Sequence, residues 1–272
     1  MNAPIGVIDS GVGGLTVAKE IMKLLPNETI YYIGDTARCP YGPRSKKEVQ
    51  KYTWQMADAL RQMKVKMLVI ACNTATAVSL VSLQKDMPFP VLGVINAGAR
   101  AAIKESRSNE IAVLATEGTI RSGAYEDAVL SLSTSAKVHP LACPTFVPVV
   151  ESGEYRSELA SKIIEDGLKP LKGLRFDTVI LGCTHYPIIQ NHIEAALGPK
   201  VKVLSSAEET ANDVQHYLTY NKMLANEKKP QHKFFATGSV PIFRSIAEDW
   251  LDFGKLHIEK IHLPLKKVKA HQ

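Results

Sequence analysis

Leu68-Val-Ile-Ala-Cys-Asn73 is a short apolar run that ends in a cysteine, and Val179-Ile-Leu-Gly-Cys-Thr184 repeats that pattern in the second half of the chain. Runs of this length, rich in β-branched residues, are typical of strands buried on both faces of a parallel sheet. In such sheets, ligands collect at the carboxyl ends of the strands. The two cysteines therefore stand where chemistry is expected, at matching points of a repeated unit.

Three more pairs of segments indicate that the whole unit is duplicated. They occur in the same order and with nearly the same offset as the cysteine pair, which is the signature of an internal repeat. The pairs are Ile5–Ser10 with Ile111–Thr116, Cys39–Tyr41 with Cys143–Thr145, and Val91–Ile95 with Val201–Ser205.

Helical segments alternate with these strands. An amphipathic run covers Leu15 to Leu25, and the capping box Ser45-Lys-Lys-Glu48 begins a helix that continues to about Met63. Further helices are predicted near Tyr155–Leu168 and from the capping segment Ser206–Glu209. This alternation predicts an α/β fold with two similar doubly wound parallel-sheet domains, related by pseudo-two-fold symmetry, and an active site in the cleft between them.

The segment from Ala207 to Gln272 has no counterpart in the repeat. It contains a helix, a strand-like stretch at Lys233–Thr237 and a further helix after Ser239. A remainder of this size more often completes an existing domain than forms a new one. We therefore predict a discontinuous first domain of residues 1–96 and 207–272, and a second domain of residues 97–206.

Composition is that of an ordinary globular protein: 272 residues, 45% hydrophobic and 22% charged. No apolar run reaches the ~18 residues of a membrane span, and no charged segment precedes the first strand, so we expect a cytoplasmic protein without a membrane partner. The net charge is +6, but five lysines and one glutamate lie in residues 255–272. Because most of the excess charge is in this tail, we expect no nucleic-acid partner.

The four cysteines, Cys39, Cys72, Cys143 and Cys183, form no Cys-x-x-Cys pair, which excludes zinc-ribbon and thioredoxin-like sites. Cys39 and Cys143 each precede a proline in a loop without polar neighbours in sequence, so both are predicted to be small buried hydrophobic residues. Cys72 and Cys183 are each followed by amide or hydroxyl side chains and are the candidates for chemistry.

Two thiols on opposite halves fit inversion at a carbon atom, which needs a base on one face and an acid on the other. A thiol with a pKa of ~8.5 is partly ionised near neutrality, so one thiolate facing one thiol is an accessible state. The negative charge that develops on the substrate needs hydrogen-bond donors. Candidate donors are Ser10, Asn73, Thr74, Thr116, Thr184 and the backbone of Asp9–Gly14; the glycines of that loop equally suit close packing.

Four motifs resemble those of the glutamate racemases, in the Asp/Glu racemase family, and the similarity covers nearly the whole chain. The motifs are Gly6–Thr16, Gly34–Arg38 with Pro40-Tyr-Gly42, Ala71-Cys-Asn-Thr74, and Leu181-Gly-Cys-Thr-His-Tyr-Pro187. The resemblance implies an isomerase that needs no pyridoxal phosphate, metal or other cofactor. It implies interconversion of L- and D-glutamate to supply peptidoglycan synthesis, and a homodimer.

The resemblance also implies roles for individual residues. Cys72 would deprotonate the D-enantiomer and Cys183 the L-enantiomer, with Asp9 beside the first thiol and His185 and Glu151 beside the second. The predicted substrate contacts are Asp9, Ser10, Tyr41, Gly42, Asn73, Thr74, Thr116, Thr184 and His185. Two positions near the predicted cleft depart from the family pattern, which has Pro-Gly at Asn96-Ala-Gly98 and Gly-Thr at Ala115-Thr116.

Two alternative functions are compatible with the sequence. A racemase for a related amino acid such as aspartate would use the same two thiols. A non-enzymatic protein that binds amino acids or a DNA-handling enzyme is the alternative from another class. Binding requires neither thiol, so the pairing of Cys72 with Cys183 favours an enzyme.

Overall fold

The structure is a computed structural model that describes residues 2–226, 228–251 and 256–263. Its strands are β1 Ile5–Asp9, β2 Ile30–Gly34, β3 Met67–Ile70, β4 Val91–Gly93, β5 Glu110–Ala115, β6 Lys137–Ala142, β7 Thr178–Gly182, β8 Lys202–Ser205, β9 Lys233–Ala236 and β10 Ile258–Lys260. Its α-helices are α1 Leu15–Leu24, α2 Lys46–Gln62, α3 Asn73–Asp86, α4 Val94–Glu105, α5 Glu117–Arg121, α6 Ala124–Leu132, α7 Phe146–Glu151, α8 Glu158–Leu168, α9 Gln190–Leu197, α10 Ser206–Tyr220 and α11 Val240–Leu251.

The strands form two separate parallel sheets. The first has the order β10-β9-β2-β1-β3-β4 and the second β6-β5-β7-β8. If β5 to β8 are matched with β1 to β4 in turn, the second sheet has the same order as the four strands β2-β1-β3-β4 of the first. The duplication seen in the sequence is therefore present in the topology, and the predicted fold class is confirmed.

The strand order explains where polar side chains collect. In each sheet the chain moves outward in one direction from the first strand and in the other direction from the third, so a crevice lies beyond the carboxyl ends of those two strands. In the first sheet Asp9 ends β1 and Cys72 follows β3. In the second sheet Thr116 follows β5 and Cys183 follows β7.

The C-terminal segment returns to the first sheet, as predicted. Strand β9 pairs with β2, with Tyr31 opposite Lys233 and Gly34 opposite Ala236, and β10 pairs with β9. The strand predicted at Lys233–Thr237 ends one residue earlier. The domain boundaries at 96/97 and 206/207 stay a prediction, and most of the lysine-rich tail lies outside the described residues.

Helix starts follow the capping side chains. The capping box of α2 is present, since Ser45 Oγ accepts from the Glu48 backbone N–H at 3.3 Å and the Glu48 carboxylate accepts from the Ser45 N–H at 3.1 Å. Helix α8 begins at Glu158 instead of Tyr155 because Ser157 caps it. Helix α10 is capped by Ser205, one residue before the predicted capping segment.

Helices cover both faces of each sheet, which is why the central strands are buried along their whole length. Strands β1, β3 and β7 are buried at every position. Within residues 2–226, 228–251 and 256–263, no helix is both long and apolar enough to cross a membrane.

Candidate active site

A cleft with about 300 Å³ of empty space lies where the two sheets face each other. It is lined by Ser10, Pro40, Tyr41, Gly42, Cys72, Asn73, Thr74, Thr116, Val147, Gly182, Cys183, Thr184 and His185. Ten of the twelve predicted site residues are in this lining. The remaining two, Asp9 and Glu151, are hydrogen-bonded to the lining residues Thr184 and His185, respectively. Pro40, Val147 and Gly182 were not predicted as site residues; Pro40 and Gly182 adjoin predicted ones, whereas Val147 carries no signal in the sequence.

Cys72 lies at the beginning of α3, and its sulfur accepts a hydrogen bond from the Ala75 backbone N–H at 3.4 Å. The residue is only 5% exposed. Burial and the nearby charge of Asp9 raise the pKa of the Cys72 thiol to about 12, and the charge of Cys183 acts in the same direction. Cys72 is therefore in the protonated form at neutral pH.

Asp9 is fully buried in the loop that follows β1. Its carboxylate accepts from the Gly11 backbone N–H at 2.9 Å and from the Thr184 hydroxyl at 3.2 Å, so it connects the first half to the second. Burial raises the pKa of Asp9 above its usual value, although the charge of His185 opposes this. Asp9 does not cap a helix, since α1 begins only after Gly14.

The second thiol has a different neighbour. The Cys183 sulfur lies 3.9 Å from His185 Nδ1, and His185 Nε2 lies 3.1 Å from Glu151 Oε1. Burial alone would lower the pKa of His185, but the contacts with Cys183 and Glu151 outweigh burial and raise it to about 10. The ring is therefore an imidazolium at neutral pH, and its positive charge lies beside the Cys183 sulfur.

Cys39 does not fit its prediction. Cys39 has no polar neighbours along the sequence, but in the fold its thiol donates to Glu151 Oε1 at 3.2 Å. The two residues are 112 positions apart and belong to different halves, which is why no local pattern indicated the contact. Cys143 does fit, since it is 1% exposed and its thiol donates to the Leu141 carbonyl at 3.8 Å.

Asn73 lines the cleft, and only one end of its amide group is hydrogen-bonded within the described structure. Its Oδ1 accepts from the Tyr125 hydroxyl at 2.7 Å, whereas Nδ2 is buried without a hydrogen-bond partner in the described structure. A buried donor of this kind costs free energy unless a ligand supplies an acceptor. Tyr125 was missed by the sequence analysis because it lies inside α6, far from any strand end.

Three threonine hydroxyls meet at the boundary between the halves. Thr74 Oγ1 lies 2.9 Å from Thr116 Oγ1 and 3.1 Å from Thr119 Oγ1. Thr74 and Thr116 were predicted, and Thr119 is an additional member on α5.

Tyr41 lines the cleft but uses its hydroxyl on the side away from it. The hydroxyl donates to Asp35, which also pairs with Arg38 at 2.7 Å and accepts from Thr237 at 2.8 Å. The Cys39–Pro40 peptide bond that precedes Tyr41 is cis. This network fixes the wall formed by residues 40–42.

The glycine loop serves close packing. A Cβ atom at Gly13 would lie 2.4 Å from Thr184 Oγ1 and 2.5 Å from His185 Nδ1, and one at Gly14 would lie 2.5 Å from Asp9 Cβ. The loop can touch the second half only because it lacks side chains at these positions.

The two departures from the family pattern lie outside the cleft lining. Asn96 is on the exposed face of α4 and is not among the residues that line the cleft. Ala115 is the buried last residue of β5.

Among the described residues that line the cleft, none is lysine or arginine. An anionic ligand would therefore be held by amide, hydroxyl and backbone N–H donors. Among all residues that the structure describes, no three His, Cys, Asp or Glu side chains are grouped so as to hold a metal ion. Whether a cofactor is needed stays a prediction.

Comparison with known proteins matches this chain to racemases. Residues 5–214 match the family model of Asp/Glu/hydantoin racemases. A glutamate racemase from Lysinibacillus sphaericus is 73% identical over 97% of this chain and 100% of its own length. The solved structure of a glutamate racemase isoform from Bacillus anthracis is 48% identical and matches 97% of this chain and 99% of its own with a TM-score of 0.94. That of a Francisella tularensis glutamate racemase in complex with D-glutamate is 36% identical, covering 96% and 98% of the two chains with a TM-score of 0.90.

A solved aspartate racemase homologue from Pyrococcus horikoshii is a more distant neighbour. It is 18% identical, covers 80% of this chain and 100% of its own, and has a TM-score of 0.54. That likeness extends to the fold alone.

Proposed function

The chain belongs to the Asp/Glu/hydantoin racemase family, and we propose that it interconverts L-glutamate and D-glutamate by moving a proton between two thiols without a cofactor. One observation carries the proposal. Cys72 and Cys183 follow equivalent strands of two sheets with the same order, and both line one cleft. Two acid/base groups on opposite halves suit removal of a proton from one face of a carbon and delivery to the other.

The surroundings of the thiols suit a reaction that begins from L-glutamate. His185 supplies a positive charge beside Cys183, whereas burial and Asp9 keep Cys72 protonated with a pKa of about 12. The Cys183 thiolate takes the α-proton of L-glutamate and becomes a thiol. The carbanion then takes the proton of the Cys72 thiol on its opposite face, which gives D-glutamate and leaves a thiolate at Cys72. From D-glutamate the same steps run in reverse.

Neutral donors would hold the carboxylates of the substrate. The free Asn73 Nδ2 group is one, and the hydroxyls of Thr74 and Thr116 are others. Because donors at fixed positions stabilise charge as it develops on the α-carboxylate, they lower the barrier to proton removal. Asp9 and His185 would exchange protons with the neighbouring thiols, and Glu151 would orient His185.

The experiment is a racemisation assay with purified protein, dialysed against chelator and kept free of pyridoxal phosphate. We expect both enantiomers of glutamate to be converted and aspartate to react far more slowly. Cys72→Ala and Cys183→Ala should each abolish racemisation, while Cys143→Ala serves as the matched control with normal turnover. Activity that depends on added metal or pyridoxal phosphate, or that persists without Cys72, would contradict the mechanism.

We also propose that the chain acts in the cytoplasm as a homodimer and supplies D-glutamate for peptidoglycan, as the family resemblance implies. Sedimentation equilibrium tests the homodimer, and a monomer at all concentrations would contradict it. Depletion of the protein should produce cells that require D-glutamate. Localisation by fractionation tests the compartment.

A further inference from the structure

Cys39 contacts the active site from the opposite half of the molecule, and we propose that it is a positioning residue that holds Glu151 against His185. The inference rests on the proposed function, because its consequence is to keep the His185 imidazolium beside the Cys183 sulfur. Cys39 itself is not among the residues that line the cleft. Its role is exerted entirely through Glu151.

The geometry forms a continuous hydrogen-bonded chain. A single carboxylate oxygen, Glu151 Oε1, accepts from the Cys39 thiol at 3.2 Å and from His185 Nε2 at 3.1 Å. The other ring nitrogen of His185 lies 3.9 Å from the Cys183 sulfur. The series of hydrogen bonds therefore runs from the Cys39 thiol of the first half, through the Glu151 carboxylate and the His185 ring, to the Cys183 thiol of the second half.

The Cys39 thiol adds a second contact to Glu151, which its own half holds through His185. Glu151 is the last residue of the short helix α7, and its side chain is 35% exposed. Without the Cys39 thiol, the shared oxygen would bond to water and the carboxylate could rotate away from the ring. Gly11 leaves the space that the thiol occupies, since a Cβ atom there would lie 2.9 Å from the Cys39 sulfur.

The thiol remains a donor because its surroundings oppose ionisation. Burial and the negative charge of Glu151 raise the pKa of Cys39 well above its usual value. In return, the donated hydrogen bond stabilises the ionised form of Glu151. Burial would raise the pKa of Glu151, but its contacts with His185 and Cys39 lower it below the ordinary range. Cys39 thus stays protonated and Glu151 stays ionised, which are the states that this series of hydrogen bonds requires.

The test compares Cys39→Ala, which removes the donor, with Cys39→Ser, which retains one. For Cys39→Ala we expect kcat to fall by roughly 3- to 10-fold, as suits loss of one bond from a weak donor to a charged acceptor, with little change in KM. The acid limb of the pH profile of kcat/KM should move to higher pH, because Glu151 loses a bond that favours its ionised form. Cys39→Ser should restore most of the turnover and the original limb. Cys143→Ala removes a buried thiol that does not belong to this series of hydrogen bonds, and it should change neither the turnover nor the acid limb.

A double-mutant cycle separates this role from packing. In a Glu151→Gln background, Cys39→Ala should cause little further loss, because its effect passes through Glu151. Thermal unfolding of each variant shows that folded protein is compared. Unchanged kinetics in Cys39→Ala, equal losses in the Ala and Ser variants, or independent losses in the double variant would each overturn the inference. Absence of racemisation in the unaltered protein would instead refute the proposed function.

Discussion

Asp9 and His185 give the two thiols unlike electrostatic surroundings, although the thiols occupy equivalent positions. A buried carboxyl group lies near Cys72 and an imidazolium lies beside Cys183. Proton-handling partners of this kind act mainly in the transition state. Asp9→Asn and His185→Asn should therefore each lower kcat by about 10²- to 10⁴-fold and raise KM much less. Steady-state kinetics in both directions measure the split, and a raised KM with normal kcat would identify the residue as a substrate contact.

The charge of His185 should set the alkaline limb of activity. Its pKa, raised to about 10, means that the imidazolium is present below that pH and is lost as the pH rises through it. Glu151→Gln removes the negative charge and the carboxylate acceptor that help to raise this pKa. We therefore expect the alkaline limb of kcat/KM to move to lower pH in Glu151→Gln. A limb that stays in place would show that another group titrates there.

At the residue scale, the sequence predicted the positions of the side chains that occur at matching points of the internal repeat. Cys72 and Cys183 follow matching strands, so their approach could be inferred from the duplication and the sheet topology. The contact between Cys39 and Glu151 could not be inferred, because it depends on how the two halves are oriented. The same holds for Tyr125, whose position on a helix reveals nothing about its bond to Asn73.

The loop between β1 and α1 joins the two halves through close contact at Gly13. A Cβ atom there would overlap both Thr184 and His185, at 2.4 Å and 2.5 Å. Gly13→Ala should therefore displace His185 and reduce kcat by about 10²-fold, since displacements near 1 Å have effects of that size. Turnover and thermal unfolding together measure this. Gly153, Gly173 and Gly198 are unsuitable sites for a control substitution because all three have a positive φ. Ala136→Gly, at a buried site outside the cleft, provides the comparison for a general loss of stability.

At the element scale, the sequence predicted the start of a helix correctly where the capping residues lie within one turn of each other. The Ser45–Glu48 capping box predicted the start of α2 because both partners lie within one turn. The start of α8 was predicted too early because residues 152–157 form a connection instead of a helical turn. In that connection Tyr155 bonds to Asp249 of α11, and such a long-range contact leaves no periodic pattern in the sequence.

At the scale of the whole molecule, two sheets of equal order place their crevices against each other. Asp9 and Cys72 come from the crevice of the first sheet, and Thr116 and Cys183 from that of the second. The bond from Thr184 to Asp9 crosses between them. The sequence could predict this arrangement because duplication with parallel order constrains topology. The relative orientation of the halves depends on side-chain packing that no motif records.

The placement of one thiol in each half predicts how hydrogen isotopes distribute during the reaction. In D₂O, from either enantiomer, the product should contain deuterium at early times while the remaining substrate keeps its hydrogen. The reason is that the thiol that removes the proton is not the one that donates, and the donor has exchanged with solvent. Mass spectrometry of the separated enantiomers measures both pools. In Cys72→Ala, the remaining Cys183 should exchange only the α-proton of L-glutamate, and in Cys183→Ala the remaining Cys72 only that of D-glutamate. Equal early deuterium in substrate and product would indicate a single base that reaches both faces, and the two halves would then not divide the chemistry between them.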